Sequence, residues 1–583
     1  MKDFIKNVFA NIVAILIIGM VLFGFFMLMI VASAASDNQT PDIRKNSVLT
    51  LNFKTNILEA HTESEESIFD FGKEKDLLLI DILNAIKKAK TDDNIKGISI
   101  EVDDFNAGVT QVDDIRAALE DFKKSGKFVY AYGNNMSQKA YYLASVADKI
   151  YVNPVGMIEL KGLSTEVTFF KDFADKYGIG VDVIRHGKFK AAVEPFIRND
   201  ISPENKEQLS TLLNDIWGNI STKIQKSRKI DAASFKTSVD SLHGFIPDLL
   251  VKNKLADQLI QKSEYDNILK KLLKLDDKKD LKKVSINKYI NTLEENDDTD
   301  NQIAVLYAAG EIFNGDEYSN IHSEKYVKYI KDLANDDDVK AVVLRVNSPG
   351  GSGNASDEIL FELQQLKKKK PLIVSFGDYA ASGGYYISMA ADKIYSEPNT
   401  LTGSIGVFGM ITNFKDLANR NGIRSDIVST NANSQIYSPL SGPANATIPV
   451  LTRSVEQTYK RFVYFVTQNR KKSFEQIDAI GGGRVWSGVR AKQLGLVDEL
   501  GTLQQAITYA AERAKLKEYN VDTYPKKMDK FEQFFKNADE DDIAAKVITK
   551  KIGKDNYEIF QKVTNPKLSN GVQMSLPYQI KIK

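Results

Sequence analysis

The chain has 583 residues, 43% hydrophobic and 27% charged, which allows about three or four domain-sized units with sizeable cores at roughly 100–200 residues each. Lys and Arg (78) nearly balance Asp and Glu (77), leaving a net charge of +1, which argues against a dominant electrostatic attraction to nucleic acid. The absence of cysteine excludes disulfides, a thiol nucleophile and Cys-ligated zinc.

In chain order, the first feature is an almost continuously apolar run from Val8 to Ala32, broken mainly by Asn11. About 20 such residues span a bilayer core as a helix, and Lys2 and Lys6 ahead of the run favour an N-terminus left in the cytoplasm. We expect a cytoplasmic stub and single transmembrane anchor over residues 1–35 and a linker over 36–46. The rival is a cleaved signal peptide, since Ala32-Ser33-Ala34 resembles a cleavage site, although the apolar run exceeds the usual length of about 7–15 residues.

An internal repeat follows. Tyr141-Tyr142 and Ala147 to Tyr151 recur as Tyr385-Tyr386 and Ala391 to Tyr395, an offset of 244 that holds without a gap from Asp113 to Ile179. Two tandem copies of one domain are implied, over residues 47–275 and 303–518, with a charged connector at 276–302. A Lys-rich tail at 519–583 has no evident counterpart in the first copy. Within the second copy Lys340 to Val346 and Pro371 to Phe376 read as buried strands. Asp357 to Leu366 and Tyr385 to Ala391 read as helices. The alternation predicts an α/β fold with largely parallel pairing.

The chemistry lies in the second copy. Asn347-Ser348-Pro349-Gly350-Gly351 follows a strand, and paired glycines let backbone N–H groups approach a substrate closely, as an oxyanion hole requires. Ser382, in Ala380 to Tyr385 (AASGGY), sits between a strand and a helix, where free amides stabilise negative charge. A plain turn and a helix N-cap are the ordinary readings of these two motifs taken singly; together they point to a serine nucleophile.

Such a serine needs a base. None of the four histidines follows Ser382, so a Ser…His…Asp order along the chain is excluded. A lysine serves if burial lowers its pKa. Lys190 of the first copy aligns with Ser434 of the second, Ser382 with Gln138, and Gly351 with Ala107. Each copy keeps the half of a site that the other lacks, so one site per chain is expected where the copies meet.

Five motifs carry a family resemblance: Gly187 to Arg198 (GKFKAAVEPFIR), Asn347 to Ser352 (NSPGGS), Ala380 to Tyr385, Leu401 to Phe408 (LTGSIGVF) and Gly483 to Asp498 (GRVWSGVRAKQLGLVD). The chain resembles the signal peptide peptidase A family of bacterial envelope proteases in its long, tandem-repeat form (protease IV). The resemblance implies two tandem ClpP/crotonase-like domains behind an N-terminal transmembrane helix. It implies a Ser–Lys dyad of Ser382 as nucleophile and Lys190 as general base. Ser404 would orient the lysine, and the backbone N–H groups of Gly350, Gly351 and Gly383 would form the oxyanion hole. It further implies a homotetramer on the outer side of the bacterial inner membrane that degrades remnant signal peptides and other apolar peptides. No cofactor, metal or nucleic-acid partner is expected.

Three rivals stay open at this stage: His186 as the base in place of Lys190, acyl-CoA chemistry suggested by the fold alone, and a non-catalytic membrane scaffold. An extended apolar peptide would bind by adding a strand to an exposed sheet edge.

Overall fold

The computed structural model describes residues 2–37, 43–60, 76–276, 279–293, 299–317, 320–526 and 573–575. The acidic stretch from Glu63 to Glu74 lies outside them. The N-terminal helix, Lys2–Asp37, is 36 residues long, but its side chains beyond Phe25 are also outside the described set. Among the described residues no helix is long and apolar enough to cross a membrane, so the expected anchor is not shown.

Each copy forms an α/β unit around a largely parallel sheet, the second with one antiparallel strand, Val485–Ser487, paired to Leu401–Gly403. In the first copy the strand order is Gln258–Leu259, Lys149–Ile158, Phe128–Met136, Ile95–Ile100, Ser47–Leu51 and Lys283–Ser285, all pairs being parallel. Strands such as Ile95–Ile100 (IKGISI) are almost wholly buried, as expected of a parallel sheet covered on both faces. The second copy repeats the plan with Leu372–Ala381, Val339–Ser348, Gln302–Ala309 and Asn520–Tyr524 in that order. The expected strands run longer, as Val339–Ser348 and Leu372–Ala381, and the helix expected over Asp357 to Leu366 runs Gly353–Lys367, whereas that expected over Tyr385 to Ala391 is the short helix Gly383–Ile387 followed by a 3-10 turn, Ser388–Ala390. The helices Leu79–Thr91 and Val109–Lys123 recur as Ser323–Asn335 and Gly353–Lys367, so the offset of 244 reaches back to Leu79.

The edge strands correct the reading of the tail. Lys283–Ser285, in the expected connector, pairs with Ser47–Leu51, and Asn520–Tyr524, in the expected tail, pairs with Gln302–Ala309. The start of the tail therefore has a counterpart in the first copy. The residue patterns of these two edges share too little for a comparison of sequence to relate them.

A third sheet crosses between the copies. Gly180–Arg185 of the first pairs antiparallel with Phe408–Asn413 of the second, from Arg185 opposite Phe408 to Gly180 opposite Asn413. Docking is reinforced along the helix Pro203–Arg228. Its Asp215 receives two hydrogen bonds from Arg490, at 2.6 and 3.0 Å, and one from Ser487, and Glu207 pairs with Arg484 at 2.8 Å. Deeper in the interface the fully buried Arg345 donates to Glu59 at 2.9 and 3.2 Å and to Asp114 at 3.4 Å. Both carboxylates belong to the first copy. Arg345 lies on Val339–Ser348, the strand that leads into the glycine loop.

Candidate active site

Ser382 stands between the strand Leu372–Ala381 and the short helix Gly383–Ile387. Its backbone takes φ +56° and ψ −114°, a conformation that costs a non-glycine residue roughly 1–3 kcal/mol. Its N–H donates to Gly403 O at 2.8 Å, which holds the turn. The side chain makes no capping hydrogen bond, so the ordinary reading of this serine as a helix cap does not describe it. Oγ instead lies 2.9 Å from Lys190 Nζ.

Lys190 follows the strand Gly180–Arg185 and immediately precedes a 3-10 turn at Ala191–Val193. The antiparallel pairing with Phe408–Asn413 carries it into the second copy. Its side chain is fully buried, and burial holds the amine well below its ordinary pKa, because water no longer solvates the charged form. Nζ also lies 2.9 Å from Ser404 Oγ and donates to Ser404 O at 3.4 Å. Ser404 is itself fully buried and its N–H donates to Arg484 O at 2.7 Å. Ser382, Lys190 and Ser404 are thus brought together in one water-poor cluster.

The glycines are placed beside it. Gly350 takes φ +98°, open to glycine at little cost. Its N–H donates to Ser348 Oγ at 3.1 Å and is therefore already engaged. Gly351 and Gly383 approach each other closely: a Cβ on Gly383 would stand 3.2 Å from Gly351 N. Gly351 N therefore lies near the Gly383 turn that follows Ser382.

His186 stands apart in its contacts. Its ring stacks on Tyr459 with centroids 3.7 Å apart, its backbone N–H donates to Val407 O at 3.0 Å, and burial lowers the pKa of the ring. The strand that would have carried both His186 and Lys190 ends at Arg185, so the two do not share a strand face.

One contributor escaped the sequence reading. Gly483, at φ +84°, presses on the lysine: a Cβ there would stand 2.6 Å from Lys190 Cβ and 2.6 Å from Lys190 N. A Cβ on Gly406 would stand 3.3 Å from Lys190 Cδ. Phe189 N–H donates to Gly482 O at 3.1 Å and Gly483 N–H to Ile405 O at 2.8 Å. The run Gly481-Gly482-Gly483 therefore forms the wall against which the lysine stem is set. A triple glycine signals a turn in sequence; only the fold reveals what it touches.

The first copy uses the equivalent positions differently. Gln138, aligned with Ser382, accepts hydrogen bonds from the N–H groups of Lys161 and Gly162 at 3.0 and 2.9 Å, and donates to Gly162 O. Ser434, aligned with Lys190, is exposed and accepts from Asn431 N.

Comparison with known proteins agrees with this picture. Residues 121–276 and 364–517 match Peptidase family S49, and residues 294–402 match Clp protease. Protease 4 of Salmonella typhi is 39% identical over 468 residues, covering 78% of this chain and 75% of the relative. Protease 4 of Haemophilus influenzae is 33% identical over 85% of this chain and 84% of its own length. The chloroplastic serine protease SPPA of Arabidopsis thaliana is 31% identical over 81% and 70% respectively.

Proposed function

The chain belongs to peptidase family S49 and is a serine peptidase with tandem ClpP-like domains; on that premise we propose that it hydrolyses apolar peptides with a Ser382–Lys190 dyad. The observation that carries the reading is the 2.9 Å approach of a fully buried lysine amine to the Ser382 hydroxyl. Neutral Lys190 accepts the proton of Ser382 Oγ–H as Oγ attacks the peptide carbonyl. The negative oxygen is met by the Gly351 and Gly383 amides, with the Gly350 amide held on Ser348. Lys190 passes the proton to the leaving amine and then activates water to release the acyl group. Ser404, in contact with the same amine, holds it toward Ser382.

We extend the proposal to a physiological reading. Remnant signal peptides are the proposed substrates, since apolar segments suit a buried, uncharged site. The N-terminal helix is proposed as a single-pass anchor in the bacterial inner membrane, with the peptidase copies on the outer side. Its support is the run from Val8 to Ala32 and the exposure of Phe9, Ile15, Leu16 and Met20. A homotetramer is proposed on the exposed apolar Ile423, Ile427, Val428 and Phe173, residues that an isolated chain leaves in water.

Purified Ser382→Ala and Lys190→Ala chains are expected to keep the native circular dichroism spectrum and lose hydrolysis of a quenched apolar peptide. Appreciable turnover by folded Ser382→Ala overturns the assignment.

A further inference from the structure

Tyr459 lies on the helix Thr447–Arg470. It is 1% exposed and belongs to the apolar cluster that contains Val455, Phe462 and Ile477. A buried phenol usually finds a polar partner for its hydroxyl, and this one finds two. It donates to Asp478 Oδ1, in the last turn of the helix Phe474–Ile480, and it accepts from Gly482 N–H at 3.4 Å. A Cβ on Gly481 would stand 3.1 Å from the same oxygen. The hydroxyl is therefore seated at the start of the glycine run whose end presses on Lys190.

The run is bound to the dyad segments beyond that point. Gly482 O accepts from Phe189 N–H, and a Cβ on Gly187 would stand 2.3 Å from that oxygen. Arg484 O accepts from Ser404 N–H, while the Arg484 guanidinium lies over the rings of Phe189 and Trp486 at 4.7 and 4.3 Å. Three glycines have no side chains with which to fix their own backbone, so the run stands where its two ends are held. Arg484 holds one end. Tyr459 and Asp478 hold the other, where Gly481 N–H also donates to Asp478 O at 3.2 Å.

Charged groups frame both ends. Asp478, Glu456 and Lys460 act on the His186 ring that lies against Tyr459. At the lysine, Arg185 donates to the Lys190 carbonyl and lies 3.9 Å from Glu194, and Arg484 pairs with Glu207. Burial is what lowers the lysine pKa, so water admitted beside the stem would raise it again.

We propose that Tyr459 is a positioning residue for the reaction: its hydroxyl, braced on Asp478, holds the glycine run against the Lys190 stem and so keeps the amine dry and aimed at Ser382. Tyr459 has this role only if Ser382 and Lys190 form the dyad proposed above.

Tyr459→Phe keeps the ring and its stack on His186 and deletes only the hydroxyl. In hydrolysis of a quenched apolar peptide, kcat is expected to fall about tenfold with KM changed by less than about twofold, as for a misplaced reacting group. The midpoint of the rise of kcat with pH is expected to move up by at least about half a unit. Asp478→Ala is expected to do the same, and Asp478→Asn, whose side-chain oxygen still accepts from the hydroxyl, to return both quantities toward native values. His186→Ala is expected to leave the midpoint in place. A native midpoint in folded Tyr459→Phe overturns the proposal, because a tyrosine that merely stabilises the fold would change the melting temperature and not the titration of the lysine. If Tyr459→Phe does not fold, Asp478→Ala, whose side chain is exposed, decides in its place. The same shift is expected without catalysis. In Ser382→Ala chains isotopically labelled at lysine Cε, the Lys190 resonance, identified by its loss in Lys190→Met, should titrate higher when Tyr459→Phe is added. Turnover that survives Lys190→Ala removes the dyad reading, while this titration still decides whether Tyr459 governs the surroundings of the lysine.

Discussion

The two copies run the same local backbone to opposite ends. In the first, Ser137 caps its helix by accepting from Ala140 N, and the next residue, Gln138, ties down Lys161 and Gly162. In the second, the helix start shifts by one residue to Ser382, which makes no cap and holds φ +56°. Leu160 fills the place where the second copy has Ser404, and both are fully buried. The first copy has ordinary stabilising contacts at these positions. The second copy keeps strain and an uncapped helix, and its serine hydroxyl lies 2.9 Å from a lysine of its neighbour.

The largest effect should come from breaking the shared dyad. Lys190→Ala removes the base, and a loss of about 10²–10⁴-fold in kcat/KM is expected from steady-state peptide hydrolysis. On the proposed mechanism Lys190 acts as base only when neutral. The rate should therefore rise with pH through the lowered lysine pKa and level off below the ordinary lysine range. Stability follows the same direction. The unfolded chain binds more protons than the native one between the lowered pKa and the usual value near 10.4, so unfolding free energy rises with pH across that window and is flat above it. Lys190→Met should abolish this dependence in urea titrations at stepped pH.

Next comes the docking between copies. Arg345→Ala leaves Glu59 and Asp114 buried without their cation, a loss of about 3–5 kcal/mol by chemical denaturation. Burial already pushes the Asp114 carboxyl up to about 6, and without Arg345 it should titrate higher still. Ser404→Ala should lower kcat by about 10²-fold with little change in KM, as loss of orientation at a reacting group does, and leave the fold intact.

Converting the first copy sharpens the contrast with the smallest effect on activity. Gln138→Ser in a Ser382→Ala background should restore no hydrolysis, because the position aligned with Lys190 is the exposed Ser434 and that aligned with Ser404 is Leu160. It should cost stability of about 1–3 kcal/mol through the amides left unpaired at Lys161 and Gly162. His186→Ala should leave kcat/KM unchanged, since its ring is spent on Tyr459.

Much of this was legible in the chain. The repeat exposes the architecture because core positions tolerate few residue types, so an offset survives where function diverges. The residues brought together at the candidate site were legible because the two copies have lost complementary halves, which points to Ser382 and Lys190 at once. What was not legible is long-range. Nothing local in Gly180–Arg185 names Phe408–Asn413 as its partner, and Arg345 in an apolar strand does not announce two carboxylates from the other copy. Gly483 reads as a turn until Lys190 is seen against it.

The pairing of Gly180–Arg185 with Phe408–Asn413 also sets a clock. Lys190 precedes Ser382 by 192 residues, roughly 10–40 s of synthesis at about 5–20 residues per second. On the proposed dyad, the emerging chain carries its base throughout that interval with no hydroxyl to activate. The hydroxyl would gain that base only after both copies have folded and joined, so hydrolytic capacity would arise as a late event of biogenesis.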